Sequence, residues 1–135
     1  MVEYSEFTVD RMNEVKDIFT QEGWCAYLSD DEALRRAFAN SLLIFGAFDG
    51  ENLIGFVRCV GDGEHIVLVQ DLIVRQEYRK RGIGKALFSE MQRRFGKVRM
   101  FCVTTDRDDE ADNRFYRSFG MKPLEDGHMI TYFRV

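Results

Sequence analysis

A chain of 135 residues holds one domain with a substantial core and is too short for two. Hydrophobic residues at 45% and aromatics at 13% exclude a disordered tail, and no apolar run approaches the length of a membrane span. The net charge of −4 speaks against a broad nucleic-acid face: Arg75, Arg79, Lys80, Arg81 and Lys85 form a single basic knot, which suits a small anionic ligand better.

In chain order, residues 3 to 8 read as a short first strand, with Tyr4 and Phe7 among polar neighbours. Asp10 is placed to cap a helix over residues 11 to 19, whose apolar face is Met12, Val15, Ile18 and Phe19. An aromatic-rich break, Gly23 to Tyr27, follows. Ser29-Asp30-Asp31-Glu32 has the form of a capping box for a second helix over residues 33 to 40, with Leu34, Ala37 and Phe38 inward. Leu42 to Phe48, Leu53 to Val60 and His65 to Val74 read as three strands joined by the turns Asp49-Gly50 and Gly61-Asp62-Gly63, an antiparallel meander. Ile83, Leu87, Met91 and Phe95 recur every four residues and predict a helix from Gly82 to about Phe95, with Gly96 as its cap. Val98 to Thr104 is then a strand reached by a right-handed crossover and parallel to the long one. A helix from about Asp109 to Phe119 follows, capped by Gly120. Met121 to Leu124 and Met129 to Phe133 read as two last short strands around Glu125-Asp126-Gly127.

Cys25, Cys59 and Cys102 are odd in number, widely separated and in apolar surroundings, with no metal-ligand spacing. Met1 to Phe7 has neither the basic flank nor the apolar stretch of a signal peptide. Reduced thiols and a cytoplasmic location are the expectation.

The informative stretch is the strand Val67 to Val74, the turn Arg75 to Gly82 and the helix start at Ile83. It brings backbone N–H groups, a helix N-terminus and several cations to one point, a good site for a phosphate or pyrophosphate. Gly82-Ile83-Gly84-Lys85-Ala86 lacks the spacing and the hydroxyl of a P-loop, and Leu87 stands where a dinucleotide fingerprint needs a third glycine. What remains is Arg79-x-x-Gly82-x-Gly84 directly after a strand. This resembles the coenzyme-A-binding motif of the GNAT family of N-acetyltransferases. Asn113-Arg114-Phe115-Tyr116-Arg117-Ser118-Phe119-Gly120-Met121 is similar to that family's late helix, and the resemblance covers nearly the whole chain.

The resemblance implies an α/β fold with a GNAT-type mixed central sheet, an antiparallel meander plus a parallel pair, flanked by helices in the order β-α-α-β-β-β-α-β-α-β-β. It implies one acetyltransferase domain over residues 1–135 and transfer of an acetyl group from acetyl-CoA to a primary amine of a small molecule, by direct attack in a ternary complex, with no metal. Leu72, Ile73 and Val74 would pair with the pantetheine arm as if it were another strand. Arg79, Lys80, Arg81, Gly82, Ile83, Gly84 and Lys85 would wrap the pyrophosphate. Tyr116 would protonate the leaving thiolate as general acid; the alternative is a packing aromatic. Asp71 is the candidate base or amine anchor, and alternation puts it on the opposite face from Gln70. An Asp hydrogen-bonded at a strand bulge or a helix end is the alternative. Trp24 and Tyr27 would line the acceptor pocket, or else pack in the core. Homodimers are common in the family, and neither nucleic acid nor membrane is an implied partner. The places where many members carry an Asn for the pantetheine arm and a small residue hold Asp109 and Asp112. A non-catalytic acyl-CoA-binding or sensing module on the same fold is the runner-up.

Overall fold

The computed structural model describes residues 1–135. The chain falls into two compact units, Met1–Val103 and Thr104–Val135. In the first, β1 (Val2–Glu6) leads through a 3-10 turn (Val9–Arg11) into α1 (Met12–Glu22). A second 3-10 turn (Cys25–Leu28) leads to α2 (Asp31–Ala39). Then come β2 (Leu43–Asp49), β3 (Asn52–Gly61), β4 (Ile66–Val74), a 3-10 turn (Gln76–Tyr78), α3 (Ile83–Arg94) and β5 (Met100–Val103). The strands form one sheet in the order β1-β2-β3-β4-β5. The first four are antiparallel neighbours, and β5 lies parallel to β4. The meander and the crossover expected from the sequence are both present. No helix is long and apolar enough to cross a membrane.

Local chemistry explains the element ends. The helix α1 buries Met12, Val15, Ile18 and Phe19, and stops where Gly23 takes the left-handed φ of 77°. No side chain caps its start; Asp10 instead lies in the preceding 3-10 turn and accepts from the Thr8 hydroxyl. At α2 the cap is Asp30, whose carboxylate accepts from the Ala33 N–H at 3.0 Å, and not Ser29. The β3–β4 turn is held by Asp62, whose Oδ1 accepts from the N–H groups of Glu64, His65 and Ile66. Those backbone donors hold its carboxyl down at about 2. Gly61, at φ 133°, is required here: a Cβ would stand 2.3 Å from the Ile66 carbonyl oxygen.

One layer of core joins α1 and α2 to the sheet through Phe19, Phe38, Phe48, Leu53, Phe56 and Ile73. Phe19, Phe38 and Phe56 meet edge to face, with centroids 5.6 to 6.3 Å apart. The helix α3 buries Ile83, Leu87, Phe88 and Met91, and the Met91 sulfur lies 3.5 Å from that of Cys59. Burial pushes the Cys59 thiol up to about 12, so it stays a packing group.

The second unit carries α4 (Glu110–Arg117), capped by Asp109, whose side chain accepts from the Asp112 N–H. Gly120 follows at φ 82°. The two last strands anticipated over residues 121 to 133 are not formed. Residues 124 to 127 make a 3-10 turn, closed by bonds from the His128 and Met129 N–H groups to the Glu125 and Leu124 carbonyls. His128 takes the left-handed φ of 61°. Met129, Ile130, Tyr132 and Phe133 are all exposed. Their alternation resembles a strand, but a strand is held by a partner's backbone, and here the turn closes on itself.

The core also holds two charges. Arg58, 5% exposed, donates from Nε to Asp71 Oδ2 at 2.6 Å; Asp71 is 2% exposed. Asp71 Oδ1 accepts from the Tyr27 hydroxyl at 2.8 Å, and Arg58 Nη1 donates to the Ser41 hydroxyl at 3.2 Å. The Arg58 guanidinium also lies 4.8 Å from the Phe38 ring centroid. A buried pair is costly to break from one side, because the other charge stays behind without its partner. Arg58→Met is expected to lower the unfolding free energy in urea by about 3–5 kcal/mol. A double variant, Arg58→Met with Asp71→Leu, should recover most of that loss, and a loss as large as the single variant's would contradict this account of the pair.

Candidate functional site

The β4–β5 pairing covers Ile66↔Met100, Val67↔Phe101, Leu68↔Cys102 and Val69↔Val103, and stops there. The strand β4 runs on to Val74. Over residues 71 to 74 it is paired with β3 on one side only. In a strand, every second residue turns its N–H and C=O toward a given edge, so this edge offers backbone donors and acceptors to an extended, amide-bearing chain. Leu72, Ile73 and Val74 lie on this segment. Ile73 is buried with the α1–α2 core, while Leu72 and Val74 are half-buried.

The turn after β4 comes directly from that edge. Lys80 and Gly82 both take left-handed backbone, at φ 63° and 81°, on either side of Arg81. Such alternation makes a concave run of N–H groups that suits an anion. Gly82 caps α3 with no side chain, so no cap bond is made to the first-turn N–H groups of the helix. The need for glycine at 82 is conformational: a Cβ there would meet nothing within 4 Å. Ile83 has its side chain in the core, 3% exposed, and only its backbone is on offer. Lys80, Arg81 and Lys85 are exposed, and the Arg81 guanidinium lies 5.1 Å from the Tyr78 ring centroid. Arg79 is engaged within the protein: Nε donates to the Val74 carbonyl at 3.0 Å, and Nη2 pairs with Glu22 of α1.

At the other end of the unpaired segment the chain assembles a polar cluster. Gln70 Nε2 donates to the Tyr27 hydroxyl at 3.1 Å, and that hydroxyl donates to Asp71. Alternation predicts Gln70 and Asp71 on opposite faces, yet both reach Tyr27. The cause is a β-bulge. Arg58 faces Asp71 and Cys59 faces Val69, which leaves Gln70 as an extra residue. Both Asp71 carboxylate oxygens are occupied, one by Tyr27 and one by Arg58. Tyr27 stacks on Phe19 with centroids 4.6 Å apart, and burial is the main cause raising its phenol above the ordinary range. Trp24 also stacks on Phe19, at 5.7 Å, and stays 36% exposed. The structure thus brings Trp24, Tyr27, Gln70 and Asp71 together. Alternation gives no sign of Gln70 in this cluster, because a bulge is a property of strand pairing and not of the local sequence.

In the second unit, Tyr116 is half-buried on α4, edge to face with Phe115 at 5.2 Å. Burial first, then the charges of Asp112 and Asp109, raise its phenol well above the ordinary tyrosine range. Asp112 accepts from the Thr105 hydroxyl at 3.1 Å. Asn113 closes the acidic loop by donating to the carbonyls of Asp106, Arg107 and Asp109. The acidic run is therefore a capped, internally bonded helix start.

Comparison with known proteins bears on the fold and the family. The family model "Acetyltransferase (GNAT) family" matches residues 9–121. A GNAT family acetyltransferase from Streptococcus pneumoniae TIGR4 superposes with a TM-score of 0.84 at 30% identity, over 100% of this chain and 96% of that one. A protein of unknown function from meticillin-resistant Staphylococcus aureus gives 0.79 at 20% identity, covering 100% of both chains. The PaiA N-acetyltransferase of Thermoplasma acidophilum, in complex with coenzyme A, gives 0.72 at 19% identity over 90% of each chain. No curated protein sequence matches. With 113 of its residues under the family model and a 30%-identical relative along its whole length, the chain belongs to the GNAT acetyltransferase family.

Proposed function

We propose that this chain, acting as one domain over residues 1–135, transfers an acetyl group from acetyl-CoA to a primary amine of a small molecule in a ternary complex. The observation that supports the reading best is the one-sided segment of β4 running straight into the left-handed turn at Lys80 and Gly82. The coenzyme A bound to the Thermoplasma relative supports the same ligand class. Acetyl-CoA is the acyl donor: the amine attacks its thioester carbonyl, the C–N bond forms as the C–S bond breaks, the nitrogen gives up its extra proton to solvent, and the thiolate leaves.

The chain's residues then divide the work. Leu72 and Val74, whose backbone groups alternate toward the open edge, hold the pantetheine amides by backbone pairing, with Ile73 between them turned to β3. The N–H groups of Leu72 and Val74 favour negative charge on the carbonyl oxygen. The run Arg79 to Lys85 receives the pyrophosphate through backbone N–H groups and the Lys80, Arg81 and Lys85 side chains. Trp24 and Tyr27 line the acceptor side. Asp71 serves as an anchor that acts through Tyr27: by accepting a hydrogen bond from the phenol at 2.8 Å it fixes that hydroxyl, whose oxygen takes Gln70 Nε2 on one lone pair and offers the other to an amine N–H. We do not assign it the part of base, because Arg58 and Tyr27 already occupy its oxygens. Tyr116 donates the proton that the departing sulfur needs. A phenol that holds its proton more firmly than usual stays in the donating form across the working pH range.

An amine panel with detection of the released thiol tests the activity. Tyr116→Phe is expected to lower kcat by about 10²–10⁴-fold while acetyl-CoA affinity persists. Unchanged turnover would remove Tyr116 as the acid. Acetyl-CoA binding with no turnover on any amine would favour the acyl-CoA-sensing module. In the pH profile the direction of the shift fixes the sign. The raised Tyr116 pKa keeps the active, protonated form at higher pH, so kcat should fall on the alkaline side only above the ordinary tyrosine value of about 10. An alkaline limb below that value, unchanged in Tyr116→Phe, would contradict the assignment.

A further inference from the structure

The first place of the cofactor motif is tied to a helix from the other end of the chain. Arg79 Nη2 pairs with Glu22, 57 residues earlier, at the last position of α1. Arg79 Nε donates at 3.0 Å to the carbonyl of Val74, the last residue of β4. Two more residues of α1 reach the same turn. Gln21 Oε1 accepts from the Gln76 N–H at 3.1 Å, and its Nε2 donates to Glu77 at 3.3 Å. Asp17 accepts from Arg75 Nη1 at 2.6 Å, while Arg75 Nε donates to the Leu53 carbonyl at 3.0 Å. Positions 17 and 21 are one helical turn apart and share a side of α1, and Glu22 follows about 100° further round at the helix end, so the last turn of α1 reaches this turn at three points.

We propose that Glu22 and Arg79 form a strut that positions the turn 80–85, and that Arg79 is a positioning residue and not an anion ligand. The inference rests on the acetyl-CoA reading of that turn. A carboxylate bonded to the guanidinium compensates its charge and competes with any phosphate for its N–H groups. The cations left for the pyrophosphate are Lys80, Arg81 and Lys85, which are exposed and stand outside the ion pairs that hold Arg75 and Arg79. Arg79 acts through backbone: its hold on the Val74 carbonyl, set by Glu22, fixes where β4 ends and the left-handed run at Lys80 begins.

The two roles predict opposite signs for one variant. If Arg79 bound phosphate directly, Glu22→Gln would release it and tighten coenzyme A binding. If the pair is a strut, Glu22→Gln loosens the turn. Calorimetric titration with coenzyme A should then show about tenfold weaker binding, the worth of one charge-assisted hydrogen bond. The KM for acetyl-CoA should rise by the same factor, with kcat and the amine KM held. Glu22→Asp should restore most of the affinity, and Glu22→Gln with Arg79→Gln should be no weaker than Arg79→Gln alone. Equal or tighter binding by Glu22→Gln, or additive losses in the double variant, would overturn the strut while leaving the acetyl-CoA reading intact. Failure of the unaltered protein to bind coenzyme A would overturn both.

Discussion

The constraint on which the first unit depends is the point where β4 parts from β5. Parallel pairing holds from Ile66 to Val69 and ends at Val103. Beyond it, β4 keeps β3 as a neighbour to Val74 while its other edge is unpaired. A backbone edge of this kind has donors and acceptors to satisfy, and an extended chain of amides satisfies them without any demand on side-chain identity. The features around it serve to keep the fork in place. The α3 side chains pack one face of the sheet, and the phenylalanines under α1 and α2 pack the other.

Both ends of the open segment are braced by residues distant in sequence. At the near end, the bulge at Gln70 and the buried Arg58–Asp71 pair hold Tyr27, and with it the short aromatic segment after α1. At the far end, Asp17, Gln21 and Glu22 hold the turn from Arg75 to Arg79. A single helix and its continuation thus touch both ends of the same strand. Two of the five cations in the basic knot, Arg75 and Arg79, are paired with carboxylates of α1, and the other three stand outside those pairs.

Much of this was legible in the sequence where the cause is local. The four-residue recurrence from Ile83 to Met91 marks α3 because a helix must bury one side. The turn glycines mark the meander, and Gly82 marks the left-handed step into α3. Non-local causes were hidden. The Gln70 bulge depends on register, and the Glu22–Arg79 contact joins residues 57 apart. The capping pattern at Ser29 to Glu32 places the cap one residue before Asp30, the residue that makes it, because both offer the same acceptor chemistry. The alternation from Met129 to Phe133 suggested a strand, but a pattern cannot supply a partner, and the 3-10 turn at Leu124–Gly127 closes its own hydrogen bonds. The family resemblance carried the site residues further than spacing alone, yet only the geometry separates Ile83, buried, from its exposed neighbours in the motif.

The most direct test of the central claim is thermal unfolding of the unaltered protein with and without acetyl-CoA, with coenzyme A and ATP beside it. A ligand at a hundred times its dissociation constant stabilises the folded state by about 2.7 kcal/mol, several degrees for a chain of this size. The account predicts that shift with both coenzyme A species and little with ATP. No shift at millimolar acetyl-CoA, or an equal shift with ATP, would contradict the reading of the fork and the turn from Arg79 to Lys85 as an acetyl-CoA site.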